Sequence, residues 1–175
     1  IAQLNIADIY IQIKRFDEAQ ILLTELQADT EERQHYTPLA YTLCLMGYFY
    51  QVQGDWEQAR DTYNQALTIA QKANAQGAIG RAKGHLAETY LREKNATYAE
   101  HLLHDALPLL NGTNDDELIS HFIGQYALTM FQLGRDVDGG RLLETALRRA
   151  QQLDFKTQIR HWQRVIAERK FEIHD

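Results

Sequence analysis

A forty-residue period runs through this chain and constrains its fold more than any other feature. The stretch GDWEQARDTYNQALTIAQKA, residues 54–73, has counterparts one period before it and after it. Four copies in one register predict a repeat architecture, in which each copy forms one structural unit. Two columns of mostly small side chains carry the period: Ala7, Gly47, Ala87 and Ala127, and Ala19, Ala59, Ala99 and Gly139.

The spacing within each copy is helical. Apolar or small residues recur at i, i+3, i+4 and i+7, which is one stripe of an α-helix. Gly54-Asp55 and Lys94-Asn95 interrupt this pattern with a turn residue followed by a side chain that can cap the next helix. Each copy therefore predicts two helices. The predicted repeats are residues 1–35, 36–75, 76–113 and 114–154. A terminal helix over residues 156–173 follows, which either covers the fourth repeat or is the first helix of a fifth repeat.

The composition excludes several classes of protein. The chain has 175 residues and a net charge of −6, which disfavours direct binding to nucleic acid because such domains usually carry a basic surplus. No apolar run is long enough to cross a membrane and no secretion signal is present, so the sequence predicts a cytoplasmic location. The single Cys44 is expected to be a small buried residue. Because the chain starts at Ile1 within an apolar pattern, we expect a fragment of a longer protein.

The second copy carries a characteristic set of residues over its two predicted helices: Leu43, Met46, Gly47, Tyr50, Gly54, Trp56, Ala59, Tyr63, Ala66 and Leu67. In these residues it resembles the tetratricopeptide repeat. The resemblance implies an all-α fold, a right-handed α-α superhelix of four helix-turn-helix repeats plus a C-terminal helix. The period of forty exceeds the usual 34 or so residues of that repeat, and in this respect the chain is similar to sensor domains of large bacterial regulators.

The resemblance also implies a binding groove, because the first helices of such repeats line a concave surface that holds a peptide or a partner's helix. An aromatic cluster on the second repeat would contact a ligand or pack against neighbouring helices, and the arginines would pair with a partner's carboxylates or form a solvated face. The candidate partner-binding residues are Tyr41, Leu45, Tyr48, Arg81, His85, Arg92 and Gln125.

The function that follows is non-catalytic binding of a protein or peptide. The alternative is a regulatory sensor domain of a signalling or transcription-regulating protein, which binds a small effector or a neighbouring domain. We expect neither catalytic activity nor a bound cofactor or metal, since the sequence has no phosphate-binding loop, nucleophile elbow or suitably paired carboxylates. Uncovered Ile1, Leu4 and Ile6 at the first repeat predict either preceding repeats or self-association.

Several histidines are candidate functional groups. His101 and His104 are three residues apart, a spacing that can hold a metal, but a zinc site needs further ligands, so we expect them to be surface residues. Three successive first helices each have one histidine on the predicted groove side. Protonation of these three histidines near pH 6 would add positive charge to the groove. These three are His85, His121 and His161.

Overall fold

The structure is a computed structural model, and it describes residues 2–172, with side chains to Arg169. Ile1 and the predicted end of the terminal helix at residue 173 lie outside this range. Within it the chain forms helices and short turns, with no strand. The helices are α1 (Ala2–Gln12), α2 (Phe16–Glu32), α3 (Tyr36–Gln53), α4 (Trp56–Lys72), α5 (Gln76–Arg92), α6 (Ala96–Leu110), α7 (Asp116–Gln132), α8 (Asp136–Gln152) and α9 (Lys156–Glu172).

The chain divides into two compact units, Ile1–Thr89 and Tyr90–Asp175. In the first unit the core lies between α1, α2 and α3, where Ala7, Leu23 and Phe49 are buried together. The Phe16 and Phe49 rings pack nearly perpendicular to each other, with their centroids 6.1 Å apart. A second cluster continues from α3 to α4 and α5 around Leu43. In this unit α3 therefore packs on α1 and α2, and α5 packs on α3 and α4.

The core of the second unit is closed by α9. Trp162 is fully buried and packs with Ala127 of α7 and with Leu143 and Ala146 of α8. A Cβ atom at Gly124 would overlap the Trp162 ring, so the glycine provides the space that the indole occupies. Within the described residues, α9 therefore packs on α7 and α8.

The small column in the first helices has the predicted effect on helix packing. A Cβ atom at Gly47 of α3 would overlap the Tyr63 ring of α4. Both Ala59 and Tyr63 are fully buried. Two helices approach closely only where one side chain is small and the opposite one fills the gap, and this pair shows that arrangement.

The turns between helices share one backbone feature. Residues with positive φ lie twenty positions apart from residue 14 to residue 94 and again at residues 134 and 154, each in the turn that follows a helix, where the left-handed conformation satisfies the last carbonyls of that helix. Asp55 and Asn95 then cap the next helix, because their side chains accept hydrogen bonds from the backbone N–H of Gln58 and Tyr98 at 3.1 and 3.3 Å. The positive-φ residues are Lys14, Gln34, Gly54, Asn74, Lys94, Gly134 and Asp154.

Candidate partner-binding surfaces

Five of the predicted site residues lie in the first unit, on α3 and α5. Tyr41, Leu45 and Tyr48 occupy successive turns of α3 and are half-buried, and Arg81 of α5 is half-buried as well. The Arg81 guanidinium lies 5.8 Å from the centre of the Tyr41 ring, a cation–π distance. His85 differs from the other four because its side chain is only 7% exposed.

The buried His85 belongs to a polar network that joins three helices. Its ring stacks on Tyr63 of α4 at a centroid distance of 5.0 Å and an angle of 7°. Its Nδ1 lies 2.9 Å from Oε2 of Glu88, one turn later on α5. An ionised carboxylate only accepts hydrogen bonds, so His85 donates from Nδ1 when Glu88 is ionised. The sequence placed His85 on the groove, whereas the structure places it beneath that surface.

Gln51 of α3 completes the network. Its Nε2 donates to Oε2 of Glu88 at 3.2 Å, and its Oε1 accepts from the Tyr63 hydroxyl at 2.7 Å. Burial, and after it the negative charge of Glu88, raises the pKa of Tyr63 well above its usual value. The hydroxyl is therefore a fixed donor at neutral pH. Gln51 was not among the site residues predicted from the sequence, although it lies three residues after Tyr48 and so one turn along the same helix.

The network supports the exposed surface through Tyr48. The Tyr48 ring lies 6.0 Å from the His85 ring and is tilted by 32° to it. Because His85 is held by Glu88 and by the Tyr63 stack, the support under Tyr48 has little freedom to move. We define the α3–α5 surface as Tyr41, Leu45, Tyr48 and Arg81, with His85 as its buried support.

Cys44 lies behind this surface and has no reactive character. It is fully buried, and its Sγ lies 3.8 Å from the Ala78 carbonyl oxygen. Burial raises the pKa of the thiol to about 12, so the nucleophilic thiolate does not form at neutral pH. The expectation of a small buried residue is confirmed.

The other two predicted site residues, Arg92 and Gln125, belong to the second unit. Arg92 is exposed at the end of α5, and Gln125 is half-buried on α7. The Nε2 of Gln125 lies 3.5 Å from Nε2 of His121, at the limit of a hydrogen bond.

His121 and His161 both approach the buried Trp162. The ring centroid of His121 lies 6.2 Å from that of Trp162, and the His161 centroid lies 4.4 Å from it. Burial lowers the pKa of His161, and the nearby Arg164 and His121 lower it further. His161 is therefore harder to protonate than a free histidine, and the predicted charging of this face near pH 6 requires a lower pH at this position.

An apolar surface that the sequence analysis noted only in part lies on the first helix pair. A shallow groove of about 350 Å³ runs between α1 and α2. Ile6 and Tyr10 line it from α1, and Ile21 and Leu22 line it from α2. In α1, Ala7 and Ile11 form the buried face, whereas Ile6 and Ile9 lie outside it. Isoleucines outside the buried face of a helix are the sequence signal that could have identified this groove.

The described residues contain no group of three or more potential metal ligands. His101 and His104, which are three residues apart in the sequence, are both exposed on α6. No helix of the described residues is long and apolar enough to cross a membrane. The cytoplasmic location and the absence of catalysis stay predictions.

Comparisons with known proteins give one family and one fold. Two models described as tetratricopeptide repeat match residues 38–112 and 2–27. The solved structure of BtubC (BKLC) from P. vanneervenii is similar with a TM-score of 0.66 and 15% identity, over 85% of this chain and 62% of that one. The chain thus spans less than two thirds of BtubC. No curated protein matches the sequence.

A second solved structure is a Podosopora anserina protein assigned as a kinesin light chain, with nearly identical TPR-like repeats. It is similar with a TM-score of 0.63 and 19% identity, over 86% of this chain and 74% of that one. A variant of the same protein gives a TM-score of 0.63 and 18% identity over the same shares. At these identities the likeness shows the fold alone.

Proposed function

Because the chain belongs to the tetratricopeptide repeat family, whose repeats generally mediate protein–protein interaction, we propose that it is a non-catalytic scaffold that binds a protein or peptide. The binding site in this proposal is the α3–α5 surface. Arg92 and Gln125 of the second unit are proposed as further contacts.

The observation that carries the proposal is a row of half-buried aromatic and apolar side chains above a buried polar network. Tyr41, Leu45 and Tyr48 offer contact area on three successive turns of one helix. Aromatic side chains contribute large contact area for little lost entropy, and they dominate binding when their surroundings hold them in place. The contacts of His85 with Tyr48 and Tyr63 provide that support.

The chemistry of the surface favours a ligand with both apolar and acidic character. An apolar side chain would pack between the tyrosines, and a carboxylate would reach the Arg81 guanidinium, which can offer two parallel donors. The Tyr41 ring lies close enough to hold the guanidinium plane in position. We therefore propose a peptide with an aromatic or aliphatic anchor and a nearby carboxylate.

The experiment is capture of partners on the immobilised chain, followed by titration of the captured partner against variants. We expect Tyr48→Ala and Arg81→Glu each to weaken binding by at least roughly tenfold, as hot-spot residues do. The matched control is Tyr98→Ala, because Tyr98 is an exposed tyrosine of α6 in the second unit. If folded Tyr48→Ala and Arg81→Glu bind every captured partner as the unmodified chain does, the α3–α5 surface is not the binding site.

A regulatory role is the second proposal. A ligand that contacts Tyr48 touches His85 directly, and His85 is linked through Glu88 to Gln51 of a neighbouring helix. Binding at the surface would therefore act on helix contacts in the interior of the first unit. The ligand in this case is a small effector or a neighbouring domain.

A further proposed partner is a second copy of the chain, bound through the first repeat. The exposed apolar face of α1 and α2 supports it. The net charge of −6 argues against nucleic acid as a direct partner.

A further inference from the structure

The packing of α9 in the second unit centres on Trp162. Its side chain is fully buried and packs with residues of α7 and α8, and Gly124 of α7 leaves the space for its ring. One turn earlier, Nε2 of Gln158 donates to the Glu117 carbonyl oxygen of α7 at 2.8 Å. The attachment of α9 therefore depends on what surrounds the Trp162 ring.

Two histidines lie beside this ring. The His161 ring meets the indole at a centroid distance of 4.4 Å and an angle of 63°. The His121 ring of α7 lies 6.2 Å from the indole and is tilted by 36° to it. His161 is half-buried, so an imidazolium at this position would lose part of its hydration. Proton uptake here is therefore coupled to the packing of α9.

The contact of His161 with Arg164 requires the neutral imidazole. Nη2 of Arg164, one turn later on α9, lies 3.4 Å from Nδ1 of His161. A guanidinium only donates hydrogen bonds, so Nδ1 accepts with its lone pair and the ring proton lies on Nε2. Protonation of Nδ1 would place two donors, both on cations, opposite each other. This contact is lost when His161 becomes charged.

The charged and titratable groups that act on His161 come from two helices. Arg164 and Glu168 lie on α9, and His121 lies on α7. Among the described residues, α8 contributes no group to this set. An ion pair of α8 with α9, between Asp136 and Arg169 at 3.0 Å, lies two turns beyond His161.

These surroundings disfavour the charged form of His161. Burial, and after it the charges of Arg164 and His121, lowers the pKa of His161, and Glu168 opposes the shift as the smallest contribution. Two of the three neighbouring groups are therefore cations or become cations on acidification, and they lie on both sides of the contact between α7 and α9.

The internal repeat provides a comparison for this pair. Tyr41 and Arg81 of the first unit stand two periods of forty residues before His121 and His161. The Arg81 guanidinium lies 5.8 Å from the centre of the Tyr41 ring, an attractive contact that does not change near neutral pH. The second unit has two imidazoles at the same repeat positions. These repel each other once both are protonated.

We propose that α9 is a pH-dependent cover of the α7–α8 cleft, bound while His161 is neutral and released as His161 takes up a proton. Release would uncover the apolar cleft lined by Ala127, Leu143 and Ala146. Acidification would then expose an apolar surface that is closed at neutral pH. This inference does not depend on the ligand proposed for the α3–α5 surface.

The direction of the effect follows from the two states of α9. In the released state His161 has the ordinary histidine pKa of about 6.5, and in the bound state its pKa is lower. As the pH falls below about 6.5, the released state therefore takes up the proton more readily and the attachment of α9 weakens. Below the pKa of the bound state both states are protonated, and the effect stops growing.

Urea unfolding followed by Trp162 fluorescence tests the proposal. The chain has two tryptophans, so Trp56→Phe leaves Trp162 as the reporter. Between about pH 7.5 and about pH 5, we expect the equilibrium constant for loss of Trp162 packing to rise at least about threefold; one proton permits at most about tenfold per pH unit. An unchanged constant, or a constant that falls on acidification, would overturn the proposal.

His161→Gln in the same background removes the titrating group. Glutamine can still accept from Arg164 but takes up no proton, so this variant should lose most of the pH dependence. His104→Gln is the matched control and should keep it, because His104 is a histidine of α6 in the same unit whose side chain is 76% exposed. A His161→Gln chain with the full pH dependence would show that other groups cause it.

Arg164→Gln gives a second test that leaves both histidines in place. The amide oxygen of glutamine can accept from protonated Nδ1 of His161, so this variant should show a weaker pH dependence than the unmodified chain. Arg160→Gln is its matched control, because Arg160 is exposed one turn earlier on α9 and contacts the Lys156 carbonyl oxygen at 3.4 Å. Equal pH dependence in the two variants would overturn the proposed mechanism.

Discussion

Gly47 sets the distance between α3 and α4, because the Tyr63 ring lies where its side chain would be. The ring has no room to move aside, since Tyr63 is fully buried and its hydroxyl is bonded to Gln51. At this position the absence of a side chain therefore matters more than the backbone freedom of glycine. Gly140 of α8 is different, because a Cβ atom there would meet nothing within 4 Å.

We predict opposite effects for alanine at these two glycines. Gly47→Ala should lower the free energy of unfolding by about 1–3 kcal/mol, because the added methyl group overpacks a filled site. Gly140→Ala should raise it by roughly 0.5–1 kcal/mol, because alanine is the better helix former where space is open. Urea denaturation measures both. Equal effects of the same sign would contradict the packing described here.

At the scale of the elements, the helix-connecting turns share a left-handed residue but differ in which residue provides it. Gly54 and Gly134 take this conformation without steric cost, whereas Lys14, Gln34, Lys94 and Asp154 adopt it with a side chain. A Cβ atom makes this conformation less favourable by roughly 1 kcal/mol or more. The turns that use glycine therefore carry less backbone strain than the turns that place a side chain at the left-handed position.

We predict that exchange of residue type at two of these turns changes stability in opposite directions. Gly54→Ala should destabilise the chain by about 1 kcal/mol, and Lys94→Gly should stabilise it by up to about 1 kcal/mol. Lys94→Ala is the control, because it removes the lysine side chain but retains the Cβ atom. The midpoint of thermal or urea unfolding reports the difference. A Lys94→Gly variant no more stable than Lys94→Ala would show that the turn carries no such strain.

At the scale of the whole molecule, the acidic charge determines which partners are excluded. The net charge is −6, so a polyanion approaching the chain meets net repulsion. The last helix, α9, carries the exposed cations Lys156, Arg160 and Arg164 on one side. These cations offer a local contact but do not reverse the charge of the chain.

We therefore predict no specific binding of nucleic acid. Fluorescence anisotropy with labelled single-stranded and duplex DNA should show no saturable binding at physiological salt. Weak binding at low salt should disappear in the Arg160→Glu/Arg164→Glu variant, which removes the local cations. Saturable, sequence-dependent binding at physiological salt would contradict the prediction and the assignment of a protein partner.

Much of the fold could be predicted from the sequence because it depends on local periodicity. The small columns at Gly47 and Ala59, the caps at Asp55 and Asn95, and the resemblance of residues 43–67 to the tetratricopeptide repeat indicated helix pairs, and the structure and the family matches confirm them. The similarity to regulator sensor domains, the repeat boundaries and the partner contacts stay predictions.

The sequence by itself indicated helix pairs, the small residues at which the two helices of a pair approach, and the caps at Asp55 and Asn95, because these features depend on neighbours within a few residues. The tertiary structure alone decided that His85 is buried and Tyr48 half-exposed, although helical periodicity places both on one face. The burial of His85 depends on two contacts: its ring stacks on Tyr63 of α4, and its Nδ1 lies beside the Glu88 carboxylate one turn later on α5. Likewise, the exposure of Ile9 and the burial of its repeat equivalent Phe49 follow from which helices lie beside them, and that is a property of packing that no local pattern contains.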